Sequence, residues 1–157
     1  MSQVFLPSES KSIFVGREPQ IAGFKSILNR ERPEWILHIP GEGGIGKTRL
    51  LEKYEKIARE QYVGGLAVTG LIDFYDTSNQ SEIGLLNEIA LRLGFDPSGA
   101  FRKESNEFQK LSASKDGENA VFQDRLEQVF EKFLAEYKVL LGQKERVLLL
   151  FDTCEEM

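Results

Sequence analysis

The sequence predicts an α/β fold built on a mainly parallel sheet. Three observations predict it. A glycine-rich turn, Gly41 to Gly46, stands between a short apolar run and an amphipathic helix. Strand-like and helix-like segments alternate along the chain. A last apolar run, Val147 to Phe151, leads straight into Asp152. The order strand, helix, strand, helices, strand implies parallel pairing through crossovers.

Each element has a local reason. Ser8 to Ser12 is a polar lead-in. Ile21, Phe24, Ile27 and Leu28 recur at helical spacing after Glu18-Pro19, and proline suits a first helical turn. Pro33 closes that region. Trp35 to Ile39 is an apolar run ending at Pro40, which reads as a buried first strand. After the glycine turn, Leu50, Leu51, Tyr54, Ile57 and Ala58 mark one helix face, and Gly64-Gly65 stops that helix. Leu66 to Phe74 is rich in β-formers and reads as a second strand. Ser78 or Ser81 is expected to cap the next helix, whose Leu86, Ile89, Ala90 and Leu93 point one way, with Gly94 as its C-terminal cap. Phe95 to Glu118 reads as a polar loop with a short helix. Phe122, Leu126, Val129, Phe130, Phe133, Leu134 and Tyr137 form a long helical stripe ending near Gly142, before the third strand, Val147 to Phe151.

Composition narrows the function classes. The chain has 157 residues, 41% hydrophobic and 29% charged, which suits one globular domain and excludes a mostly disordered chain. Its formal charge is -5, so wholesale grip on a nucleic-acid duplex is not expected, although a local anion site needs only a few donors. The single cysteine, Cys154, allows no internal disulfide and fits a reducing compartment. No apolar run approaches the roughly 20 residues of a membrane span, and the first residues do not read as a secretory signal. A soluble cytoplasmic protein is the expectation.

Gly41-Glu42-Gly43-Gly44-Ile45-Gly46-Lys47-Thr48 fits the phosphate-loop pattern G-x-x-x-x-G-K-[ST] in full. Glycines let backbone N–H groups turn inward around a phosphate, and the next helix begins there with its positive dipole end. Lys47 would reach the β- and γ-phosphates, and the Thr48 hydroxyl would coordinate Mg²⁺. Gly41, Gly43, Gly44, Ile45, Gly46 and Arg49 complete the expected nucleotide-binding set. The blander reading is a glycine turn that merely starts a helix. Partitioning-type ATPases carry a similar loop, but with a lysine where this chain has Glu42.

Asp152, at the tip of an apolar strand, is where a phosphate-loop protein holds its Mg²⁺, usually through water. Hydrolysis also needs a group that orients water near the γ-phosphate. Many such ATPases place a glutamate directly after the aspartate. Thr153 occupies that place here, so Glu155 and Glu156 are the candidates, Glu156 slightly ahead. Solvated charges at a chain end are the competing reading.

Phe14-Val15-Gly16-Arg17-Glu18, the loop Gly41 to Thr48, and Asp152-Thr153-Cys154-Glu155-Glu156 together resemble the STAND branch of the AAA+-related P-loop ATPases, which includes the NACHT and NB-ARC groups. The resemblance implies a P-loop NTPase fold of three layers, α/β/α, with ATP or ADP and Mg²⁺ as cofactors. It implies that Val15 and Gly16 lie by the adenine and Arg17 near the nucleotide. Thr153 stands where glycine is usual in the NACHT-type strand end. The resemblance spans residues 14–157, after a lead-in at 1–13, and implies the N-terminal part of a longer domain. Further strands, one of them between the phosphate-loop strand and the acidic strand, are then expected after Met157, with a lid and effector domains.

The function implied is Mg-ATP binding with slow hydrolysis, in a nucleotide-dependent switch whose protein partners or self-association would involve regions beyond this chain. No membrane or nucleic-acid partner is expected. Two other readings remain open. One is a small-molecule kinase using the same loop, for which Arg102 is the available lid arginine. The other is a scaffold that binds nucleotide without hydrolysing it. His38 is read as a structural histidine within the first strand, and Cys154 as packing. The charges between Lys103 and Lys115 are read as a solvated loop.

Overall fold

The structure is a computed structural model that describes residues 16–31, 35–62, 64–113 and 119–154. The chain divides between Ile39 and Pro40 into two compact units. In the first, α1 (Glu18–Leu28) starts with an acidic residue and a proline and buries Phe24 and Leu28, as its spacing predicts. The lead-in, Val15, Pro33 and the acids Glu155 and Glu156 lie outside the described residues.

The expected first strand is corrected. Trp35 to Ile39 has no regular structure, and Trp35 and Ile36 are 90% and 86% exposed. A strand is held by a neighbour's hydrogen-bond ladder. Among the described residues the sheet consists of two other strands, which pair with each other. Apolar composition alone leaves Trp35 to Ile39 as coil. His38, expected inside that strand, is exposed.

The second unit is mixed α/β around a two-stranded parallel sheet. Its elements are α2 (Lys47–Gln61), β1 (Leu66–Asp73), a short 3₁₀ helix (Thr77–Gln80), α3 (Glu82–Leu93), α4 (Ala100–Ala113), α5 (Asn119–Gln143) and β2 (Arg146–Asp152). β1 and β2 pair in parallel through the expected helical crossover. α3 begins and ends as its chemistry predicts. The Ser81 hydroxyl accepts the Gly84 N–H at 3.1 Å, and Gly94 closes the helix in the left-handed region at φ +73°.

The stretch expected to be mainly loop holds a 14-residue helix, α4, instead. Phe101, Ser105 and Phe108 share its buried face. Its N-terminal cap comes from another helix: the Glu136 carboxylate on α5 accepts the Phe101 N–H at 2.9 Å. Glu104 pairs with Arg125 of α5 at 2.8 Å, so this part of the charged stretch is a helix–helix contact and not a solvated loop.

One face of the sheet belongs to a single cluster. Ile72 of β1 packs with Ile83, Leu86 and Ile89 of α3, Phe101 and Phe108 of α4, and Val129 and Phe133 of α5, with Leu149 and Phe151 of β2 against them. Tilted and edge-on contacts among Phe95, Phe101 and Phe133, with centroids 5.3–6.2 Å apart, fix its centre. The stripe on α5 is therefore core. The buried residues of α2, Leu50, Leu51, Tyr54, Ile57 and Ala58, do not belong to that cluster, although α2 packs on both strands. α2 thus covers the opposite face.

Among the described residues, no helix is long and apolar enough to cross a membrane.

Candidate functional site

The sheet carries a bulge that decides what stands at its tip. Val68 is level with Leu148, but Leu71 is level with Leu150, so Thr69 and Gly70 together oppose Leu149. Gly70 takes φ +73°, where a side chain is strained. Thr69 is 3% exposed, and its hydroxyl fills the gap left in the ladder. It accepts the Leu150 N–H at 3.3 Å and faces the Gly70 and Leu148 carbonyls at 2.8 and 3.4 Å. Arg59 and Arg92 donate to the displaced Val68 and Thr69 carbonyls. Each arginine is held by a glutamate one turn back, Glu55 and Glu88.

The extra residue shifts the pairing by one. Without it Ile72 would stand opposite Asp152. With it the pairs are Ile72 with Phe151 and Asp73 with Asp152. Strand side chains alternate between faces. Ile72, Leu149 and Phe151 point into the cluster formed with α3 to α5. Asp73 and Asp152 therefore point to the α2 side.

The start of α2 lies at that same end. α2 is joined to β1 by a short turn, and the two pack together, so they run antiparallel. Arg59 donates to the Val68 carbonyl, and the Glu55 carboxylate lies beside Gly70. Four residues up the helix, about 6 Å, match two along the strand, about 6.6 Å. Continuing the ladder puts Leu51 level with Ile72 and Lys47 level with Phe74. The first turn of α2 is therefore directed toward the end of the sheet where β1 and β2 finish.

The loop itself is exposed from Gly41 to Ile45. Gly41, Gly44 and Gly46 all take positive φ, at +153°, +81° and +86°. A Cβ at Gly41 would collide with the Ile45 side chain, which lies across it. The Lys47 ammonium folds back along the loop and donates to the Gly41 and Glu42 carbonyls at 2.7 and 3.4 Å. Among the described residues no side chain caps α2, which leaves its first N–H groups beside the loop. Thr48 and Arg49 are exposed in the first turn.

Asp152 is 8% exposed, and its Oδ1 accepts the N–H of Thr153 at 3.0 Å. Thr153 takes φ +60°, a strained value for a β-branched residue. Cys154 is exposed, which corrects the expectation of packing.

Asp73, which the sequence reading did not single out, ends β1 and stands beside Asp152 in the ladder. The signal was present: β1, like β2, is an apolar strand ending in aspartate. Its Oδ1 accepts the Tyr75 N–H at 2.9 Å, and Asn79 Nδ2 donates to its carbonyl at 2.8 Å. Nearby Asp76 is held below the ordinary carboxylate value by hydrogen bonds from the Ser78 hydroxyl and N–H.

Gly16 and Arg17, expected near the base, belong to the first unit, at the start of α1. Arg102, the candidate of the kinase reading, donates to Asn87 on α3 at 2.9 Å.

The Thr48 hydroxyl in the first turn of α2 and the Asp152 carboxylate at the end of β2 are hard oxygens. They suit Mg²⁺, which binds through one or two carboxylates plus phosphate oxygens and water. Among the described residues no group of three or more His, Cys, Asp or Glu side chains is placed to hold a metal alone. Phosphate oxygens would have to complete the shell. No family model, curated protein or solved structure matches the chain.

Proposed function

We propose that this chain is the nucleotide-binding part of a three-layer P-loop ATPase that binds Mg-ATP and works as a nucleotide-dependent switch. One feature supports the reading: a complete phosphate-loop pattern opens α2, and α2 packs on the parallel sheet whose strand β2 ends at the buried Asp152.

In this reading the loop amides and the first turn of α2 accept the phosphates. The Lys47 ammonium exchanges the loop carbonyls for β- and γ-phosphate oxygens. Thr48 and Asp152 hold Mg²⁺, which neutralises phosphate charge when bound. Arg49 adds positive charge at the loop, and Val15, Gly16 and Arg17 serve the base. Glu155 or Glu156 orients the water for slow hydrolysis. ATP and ADP then favour different arrangements of attached domains, a population shift set by their differential affinity. The engagement of Arg102 with Asn87 counts against the kinase reading.

The test is calorimetric titration of the folded chain with ATP and with ADP in Mg²⁺. Saturable binding is expected. A folded chain that binds neither nucleotide refutes the proposal.

A further inference from the structure

We infer that the outer edge of β2 is an interface at which two copies of this chain pair antiparallel, about a two-fold axis through Leu149. The inference does not depend on the nucleotide reading.

The ladder shows which backbone groups would make the contact. The Arg146 N–H donates to the Gly65 carbonyl, the Leu150 N–H donates to the Thr69 hydroxyl, and the Asp152 carbonyl accepts the Phe74 N–H. Arg146, Leu148, Leu150 and Asp152 therefore turn their backbone groups toward β1. Alternate residues of a strand turn these groups to opposite sides, so Val147, Leu149 and Phe151 turn theirs outward. Among the described residues none of these outward groups has a hydrogen-bond partner.

The outer edge of β1 differs. Its Val68 and Asp73 carbonyls accept from Arg59 and Asn79, at 3.3 and 2.8 Å. Side-chain cover of this kind blocks the addition of a strand. β2 lacks such cover among the described residues, and Val147, Leu148, Leu149 and Phe151 are only half-buried. A bare apolar edge is a template for another strand.

The sequence of β2 says which strand fits. Arg-Val-Leu-Leu-Leu-Phe-Asp, from Arg146 to Asp152, is its own complement when laid antiparallel. With Leu149 opposite the partner's Leu149, Val147 meets the partner's Phe151. Every outward residue then falls in a hydrogen-bonded pair, which exchanges two N–H···O bonds. At both ends Arg146 stands opposite the partner's Asp152, in the closer spacing of about 4.5 Å that non-hydrogen-bonded pairs have. Opposite charges placed so favour the register. A shift of two residues either way leaves Arg146 opposite an uncharged residue.

Asp152 is also the carboxylate proposed above for Mg²⁺, so the test is made in EDTA without nucleotide. Sedimentation equilibrium is expected to show twice the monomer mass. Hydrogen exchange at the Val147, Leu149 and Phe151 amides is expected to slow as chain concentration rises. A monomer at every concentration overturns the inference. Slow exchange that does not depend on concentration also overturns it, because a strand of the same chain would then cover the edge. Arg146→Glu places acid opposite acid and should weaken the dimer by about tenfold or more. Asp152→Arg places base opposite base and should do the same. Mixing the two variants sets acid opposite base at both ends and should restore pairing. Failure of the mixture to pair, when circular dichroism shows both variants folded, overturns the register.

Discussion

Replacing Thr69 by valine removes one hydroxyl and keeps the side-chain shape, so it isolates what holds the bulge. Thr69 is 3% exposed, and water cannot replace the lost group. The Leu150 N–H, now bonded to the Thr69 hydroxyl at 3.3 Å, would be buried without an acceptor. Leaving such a donor unsatisfied costs about 1–3 kcal/mol, and loss of the hydroxyl's own donation adds roughly 1 kcal/mol. The expected total is about 3 kcal/mol, a large share of a domain's stability. At about 2–4 °C per kcal/mol for a chain of this size, Tm falls by roughly 6–12 °C. Urea unfolding gives the free energy, and an unchanged m value shows that compactness is not altered. Thr69→Ser keeps the hydroxyl, deletes one methyl and should cost only about 1 kcal/mol. The reasoning is refuted if valine is tolerated as well as serine, because the hydroxyl would then not be closing the ladder.

Two other substitutions probe local geometry. Thr153 sits at φ +60°, so Thr153→Gly should raise stability in urea by about 1 kcal/mol; a loss would mean that the threonine side chain, not the bend, is what matters there. A Cβ on Gly99 would come within 2.5 Å of the Glu136 carboxylate oxygen that caps α4. Gly99→Ala should therefore cost about 1 kcal/mol, as loss of a helix cap does, and calorimetric unfolding that finds no loss would remove Glu136 as the cap.

What was legible in the sequence is what local chemistry decides. Ser81 and Gly94 bound α3 because a hydroxyl and a left-handed glycine act within a few residues of where they stand. The face of α2 follows from its own periodicity. Asp152 is recognisable from the apolar run that leads to it. The misreadings share a different cause. α4 is polar over most of its surface and takes its cap from Glu136, 35 residues away, so no local signal could report its start. Trp35 to Ile39 has the composition of a strand, but a strand exists only beside another, and none of the described residues pairs with it. The bulge was signalled weakly by Gly70 inside a β-forming run, where glycine often marks an irregularity. Only the register shows its consequence, that Asp73 and not Ile72 faces Asp152.

The central proposal is that the glycine loop and Asp152 serve one Mg-ATP site, and its most direct test is calorimetric binding of Mg-ATP by the chain and by Lys47→Ala. The Lys47 ammonium donates to carbonyls of its own loop, and the helix it begins is packed through Leu50, Leu51 and Tyr54, so the variant should fold. Saturable binding by the chain that disappears in Lys47→Ala, with circular dichroism unchanged, is the predicted result. Equal binding by both chains, or none by either when both are folded, would contradict it.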